Sequence, residues 1–175
     1  HRWHKQYRSD GCQLGQGCGS VKNPAPQSAW EGLKSELARW HDQGHAPQFW
    51  IRDDDATRKD GHLDWLLETC RASEVPIALA VIPARVDHTL IKALADSPGI
   101  LVLQHGYAHS NHAPHGDKKS EYGPHRPIDT MVNEITKGKQ ILEQAFRKRA
   151  LPVFVPPWNR MTERLFPYLT EIGLR

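Results

Sequence analysis

The chain has 175 residues, with 23 Lys and Arg set against 20 Asp and Glu for a formal net charge of +3. That length suits one domain with a real core, and so even a balance excludes the basic stripe of a nucleic-acid binder. No apolar run approaches the roughly 20 residues needed to span a bilayer, and no secretory signal is visible. A cytoplasmic protein is favoured on that ground, although the chain begins at His1 and a removed leader stays open.

Residues 1–27 are rich in Gly, Gln and basic side chains and carry no apolar period, so they read as a flexible leader to a domain over 28–175. Cys12 and Cys18 lie there and are assigned no role. Ser28-Ala29-Trp30-Glu31 is a capping-box pattern, and Trp30, Leu33, Leu37 and Trp40 behind it mark one helical face that Gly44 ends. A strand is expected over 48–52. It is an apolar run diving toward a core and ending in Asp53, Asp54 and Asp55. Three adjacent carboxylates repel one another and need solvent, an arginine or a cation as compensation.

Leu63, Leu66, Leu67 and Cys70 describe an amphipathic helix, with Cys70 in the core. Ile77 to Ile82 is a continuous apolar strand of the kind buried on both faces. Asp87 can cap a third helix carrying Leu90, Ile91 and Leu94, and Ile100 to Leu103 makes a third strand that ends at Gln104-His105. The loop 105–127 follows, with Gly, Pro and His throughout. Ile128, Met131, Val132, Ile135 and Leu142 then give a long helix, at whose solvated C-terminal end Arg147-Lys148-Arg149 suit the helix dipole. Pro152 to Val155 is a fourth strand, ending at Pro156-Pro157-Trp158-Asn159-Arg160, and a last helix starts near Thr162.

The order is βαβαβαβα after one leading helix, which implies parallel strands joined by right-handed crossovers. An open doubly wound sheet and a barrel both satisfy it. No Gly-x-Gly-x-x-Gly follows the first strand, so a dinucleotide site is not expected. Polar chemistry recurs instead at strand C-termini, the face on which barrel enzymes carry their active sites. Four strands cannot close a barrel, and the chain stops where a fifth would begin.

Histidine is concentrated, with five of the eleven between His105 and His125. His105 and His109 stand four apart, so a helical turn after the third strand would aim both imidazoles to one side. Two histidines and a carboxylate suit Zn²⁺ or another divalent first-row ion, leaving positions open for water. The Asp triplet is the carboxylate source, and an ion would also relieve its repulsion. One Asp can bind while another takes a proton from the attacking water.

Asp-Asp at the first strand, His-x-x-x-His after the third and apolar-Pro-Pro-aromatic after the fourth resemble the polysaccharide deacetylases. These are the NodB-homology group, carbohydrate esterase family 4, and the resemblance spans about residues 47–175. It implies an α/β fold, a distorted TIM-like parallel (β/α) barrel, incomplete in this chain and from a divergent branch. The family's first motif, Thr-Phe-Asp-Asp-Gly, puts a catalytic base before a metal ligand. Two registers fit: Asp54 as base with Asp55 as ligand, or Asp53 with Asp54. The first is preferred because the small Ala56 then follows the pair. The remaining acid, Asp53, is expected to be held by a neighbouring Arg and to support the base.

The second motif maps to His105 through His109 as metal ligands, with Gly106 in place of the family's hydroxyl residue and a hydrogen bond lost. The third, Arg-Pro-Pro-Tyr, maps to Val155 through Trp158 without its Arg, for which Arg52, Arg126 and Arg160 are the substitutes, Arg160 nearest in sequence. Trp158 would wall the substrate groove, with Asn159 and Arg160 beside it. His112, His115, His125 and Arg126 either contact substrate or order their loop. The family's general-acid His would fall beyond Arg175, so this stretch alone would be slow or inactive.

The resemblance implies metal-dependent hydrolysis of N-acetyl groups on a sugar or polysaccharide. The ion would be Zn²⁺ first, with Co²⁺, Ni²⁺ or Mn²⁺ as other choices. The partner is an acetylated carbohydrate, with no nucleic acid and no membrane. Two alternatives stand beside it: an amidase or deformylase of the same fold acting on a non-carbohydrate amide, and a non-catalytic carbohydrate-binding barrel.

Overall fold

Strand alternation along Ile77–Val81 governs the architecture seen in a computed structural model of the protein, which describes residues 26–95 and 97–175. All five residues of that strand are buried, because helices cover one of its faces and small side chains line the other. Contacts divide the chain into two units, His1–Gln48 and Phe49–Arg175. In the first, helix α1 (Pro26–Asp42) begins two residues before the capping-box Ser28, whose side chain lies outside the described residues, as do Cys12 and Cys18. Within α1, Glu36 accepts from Arg39 at 2.7 Å and from the Trp40 indole at 2.9 Å.

The second unit runs β1 (Ile51–Ala56), α2 (Gly61–Ser73), β2 (Ile77–Val81), α3 (His88–Ala95), β3 (Ile100–His105), α4 (Ile128–Phe146), β4 (Ala150–Val155) and α5 (Phe166–Ile172). The strands form one parallel sheet in the order β1-β2-β3-β4. On the helix side, Ile77, Leu79, Val81, Ile100 and Val102 pack with Leu63, Leu66, Leu67 and Cys70 of α2, Leu90 and Leu94 of α3 and Leu142 and Phe146 of α4. A second cluster gathers Met131 and Ile135 of α4, Phe154, Leu165 and Leu169 around Tyr122. The opposite face carries Ala78, Ala80, Leu103 and Val155. Of these, Ala78 and Ala80 on β2 are small.

Helix starts follow their local chemistry. Asp60 Oδ1 accepts from Leu63 N at 2.9 Å before α2. Asp87 Oδ1 accepts from Thr89 N at 2.8 Å and Leu90 N at 3.2 Å before α3, the N-cap arrangement. The Thr89 hydroxyl donates to the same carboxylate and holds its pKa below the ordinary value, backbone donors adding to the effect.

Two expectations are corrected. The first strand does not stop before the acids: β1 contains Asp53, Asp54 and Asp55, while Phe49 and Trp50 are 72% and 67% exposed. β1 is an edge of the sheet, so its leading aromatics have no layer to enter. Arg149 is no solvated terminus of α4, because it donates to the carbonyls of Leu94, Ala95 and Ser97 and satisfies the end of α3. The loop 105–127 holds itself together: Asn111 Oδ1 accepts from Ala113 N and Ser120 N, His112 N donates to Ser120 O, and Tyr122 bridges to Met161.

Candidate metal centre

The three acids of β1 go to three places. Arg52 and Asp54, two apart on a strand, share a face. Their register beside Ala78 turns that face toward Ala78, Ala80 and Leu103. Asp53, paired with Leu79, points the other way, and its Oδ1 lies 3.4 Å from His62 Nε2 of α2. Regular alternation would send Asp55 after Asp53. Instead, pairing with β2 is interrupted between Asp53 and Ala56, and Asp55 takes a left-handed conformation with φ 71°. This bulge returns its carboxylate to the face that carries Ala78, Leu103 and His105.

There Asp55 Oδ1 lies 3.2 Å from His105 Nε2 and 3.2 Å from His109 Nε2. His105 is buried at the end of β3 and Asp55 is exposed, so the cluster has a dry wall and an open side. One ligand atom from each residue lies within 4.8 Å of the others. The His pair does not converge through a helical turn. After β3 the chain bends through Gly106, φ 59°, and His109, φ 55°.

His105 Nδ1 lies 3.0 Å from Val155 O. A carbonyl only accepts, so Nδ1 carries a proton and Nε2 is the nitrogen turned to Asp55. An imidazole nitrogen and a carboxylate oxygen 3.2 Å apart are held together by a proton or a cation between them. A carboxylate and two imidazoles are a donor set that first-row divalent ions take, and fixing one imidazole through its second nitrogen is how such ligands are held. The residues fit an ion. Burial pushes the His109 imidazole below its ordinary pKa, opposed by the carboxylates of Asp55 and Glu121. The neutral form that binds a metal is thereby favoured.

Arg52 lies against Asp54, with Nε 2.8 Å from Oδ1 and Nη2 donating to Oδ2 at 3.2 Å. The contact to Oδ1 is an ion pair without hydrogen-bond geometry, since that oxygen makes no hydrogen bond among the described residues. The counter-charge therefore sits on Asp54 and not on Asp53. Arg52 is also the arginine that meets a triplet acid among the three substitutes considered. Arg126 chelates Glu134 at 2.8 Å through two nitrogens and donates to Glu121 O at 3.0 Å, bonds that tie the 105–127 loop to α4. Arg160 donates to Lys119 O at 3.2 Å.

Trp158 packs its ring 4.3 Å from that of His109. It and Asn159 have φ of 55° and 53°, so Asp55, His109, Trp158 and Asn159 are all left-handed non-glycine residues after or within strand ends. Such conformations cost on the order of 1–3 kcal/mol each and gather at functional sites. Asn159, Arg160 and His112 are exposed, and their side chains make no contact with the Asp55 cluster in the bonds described.

One residue escaped the sequence reading. Glu121, fully buried, accepts from Ala108 N at 2.8 Å and Tyr107 N at 3.3 Å. The signal for it was Gly106. A Cβ there would meet Glu121 Oε2 at 2.1 Å and Pro157 Cγ at 2.5 Å, so the hydroxyl-bearing residue of the family motif cannot fit where Glu121 already fills the space.

Neither a protein-family model nor a curated protein matches the sequence. Solved structures do match. The Bc1960 peptidoglycan N-acetylglucosamine deacetylase is 17% identical, over 71% of this chain and 53% of that one, with a TM-score of 0.57. A family 4 acetyl xylan esterase from Clostridium thermocellum, in complex with a cobalt ion, is 16% identical over 68% and 53%, TM-score 0.53. BA3943, a family 4 pseudoenzyme from Bacillus anthracis, is 16% identical over 74% and 43%, TM-score 0.54. The fold is thus a parallel α/β sheet with a carboxylate–imidazole cluster at its strand ends. More specifically, it is similar to the fold of the family 4 carbohydrate esterases among these structures. The chain spans less than two thirds of the length of each of these structures. No helix among the described residues is long and apolar enough to cross a membrane.

Proposed function

We propose that this chain carries the metal centre and proton acceptor of a hydrolase that removes N-acetyl groups from a sugar or polysaccharide. The observation that carries the reading is the meeting of Asp55 with His105 and His109, each imidazole nitrogen 3.2 Å from one carboxylate oxygen. Those three residues would hold a divalent ion, Zn²⁺ first among them. The ion would polarise the acetyl carbonyl and make its water more acidic.

The chain's own groups do the rest. Asp54 lies on the same face of the sheet as the cluster and next to the ligand Asp55, so it is the acid to receive the proton of the attacking water. Arg52 fixes its orientation, and the arrangement supports the register in which Asp54 is base and Asp55 ligand. Asp53 turns to the helix-covered face beside His62 and makes no contact with Asp54 in the bonds described. Trp158 walls the open side, packed on His109, and offers an aromatic face to a sugar ring. Asn159 and Arg160 are exposed beside it and available to an acetylated glycan.

The test is acetate release from N-acetylated oligosaccharides by the zinc-loaded chain, run beside zinc-binding titrations. Asp54→Asn should bind zinc as wild type does and release at least about 100-fold less acetate, the usual reach of general-base loss. Asp55→Ala and His105→Ala should lose zinc. Zinc bound by all three variants, or acetate release untouched in Asp54→Asn, sinks the proposal. A second reading is supported by the likeness to a family 4 pseudoenzyme: a sugar-binding barrel without turnover. Glycan bound equally well by wild type, by Asp55→Ala and by zinc-free protein would select it.

A further inference from the structure

The backbone between the two histidine ligands is paired at every polar group from Gly106 N to Ala108 N. Gly106 N donates to Val155 O at 3.1 Å, and Tyr107 O accepts from Ala84 N at 2.9 Å. Gly106 O accepts from the buried Gln104 Nε2 at 3.1 Å, an amide that also donates to Ile135 O of α4 at 2.9 Å. The last two donors, Tyr107 N and Ala108 N, both go to the carboxylate of Glu121. Losing the acceptor of a partly buried N–H costs up to about 1–3 kcal/mol, so Glu121 supports the path of this loop.

We propose that Glu121 is the positioning residue of the metal centre. It touches neither ligand ring in the bonds described and, being fully buried, meets no substrate. It sets the left-handed turn that leads from His105 to His109, and so the aim of His109 Nε2 at Asp55. A neutral side chain could satisfy one of the two N–H groups. A carboxylate accepts from both at once and adds negative charge beside a cation site. Its own cost of burial is met by those two bonds, and Arg126, donating to its main-chain carbonyl and chelated by Glu134, pins the residue from behind. Gly106 is the complement of this design, since any side chain there would enter the space of the carboxylate.

The inference rests on the metal reading of the site, and cobalt titration of the full chain separates the two. Wild type should bind Co²⁺ with a visible ligand-field spectrum. Glu121→Gln keeps the shape but turns one acceptor into a donor facing Tyr107 N or Ala108 N. It should bind Co²⁺ about 10-fold more weakly, with altered band positions or intensities, and Glu121→Ala about 100-fold more weakly, the range for residues that orient metal ligands. A role confined to stability would lower the melting temperature and leave the spectrum as in wild type. Should Glu121→Ala fail to fold, the near-isosteric Glu121→Gln decides alone. Wild-type affinity and spectrum in Glu121→Gln overturn the positioning role while the metal centre stands. A wild type that takes up no cobalt overturns the metal centre, and the role of Glu121 with it.

Discussion

Gly106→Ala puts the packing of the ligand loop to a direct test. The new methyl carbon would sit 2.1 Å from Glu121 Oε2, 2.5 Å from Pro157 Cγ and 2.8 Å from Pro157 Cδ, at a residue whose φ is 59°. Two costs add. Holding a non-glycine residue in the left-handed region costs roughly 1–2 kcal/mol, and overpacking a tight site roughly 1–3 kcal/mol more. For a unit of this size, each kcal/mol lowers the melting temperature by roughly 3–4 °C. The expected shift is a fall on the order of 10 °C in metal-free protein followed by circular dichroism, joined by weaker cobalt binding. Part of the clash is with the carboxylate, so adding Glu121→Ala should make the Gly106→Ala step less damaging by about 1 kcal/mol, the scale of coupling between residues in contact. An unchanged melting temperature and cobalt affinity in Gly106→Ala would refute both the clash and its link to the ligand loop.

Two further outcomes are expected. Arg149→Ala strips three carbonyls at the end of α3 of a charged donor and should cost about 1–2 kcal/mol in urea unfolding; a loss under roughly 0.5 kcal/mol would mean water replaces the guanidinium at no cost. The second concerns pH in metal-free protein. Burial lowers the pKa of folded His109 below its ordinary value of 6.5, so in acid the unfolded chain binds more protons than the folded one. The stabilising contribution is therefore present above about pH 6.5 and lost as pH falls through the folded value. The stability of wild type relative to His109→Gln should shrink from about pH 7.5 to about pH 5, and a flat or growing difference would contradict the sign.

Much of the fold was legible because periodicity survives translation into three dimensions. Ile77 to Ile82, a run with no polar residue, reads as a strand covered on both faces, and β2 occupies its first five residues. Leu63, Leu66, Leu67 and Cys70 define the buried stripe of α2. The first strand was misplaced because Phe49 and Trp50 look like core residues, whereas an edge strand leaves them in solvent. That the Asp triplet and the two histidines lie at one edge of the sheet followed from the alternation of strands and helices, since parallel strands all end on one side.

What stayed hidden were relations that depend on exact backbone angles. The left-handed turns at Gly106 and His109 replaced the helical turn that four-residue spacing suggests. The partner of Asp54 was undecided among three arginines, although Arg52 stands two residues before it on the same strand. Glu121 gave no sign in a loop conspicuous for its histidines. Only the glycine where the family carries a hydroxyl hinted that the space was taken.

The bulge at Asp55 has a consequence for how such a site can arise or be rebuilt. In a regular strand, adjacent side chains face opposite ways, and two carboxylates serving one ion and one water would have to be two residues apart. One left-handed residue breaks that rule and lets neighbours in sequence share a pocket. The site is therefore written in a local irregularity as much as in the identity of its acids. Grafting Asp-Asp-Asp onto a straight strand would scatter the acids across two faces, whereas carrying over the kink with them would keep the pair together.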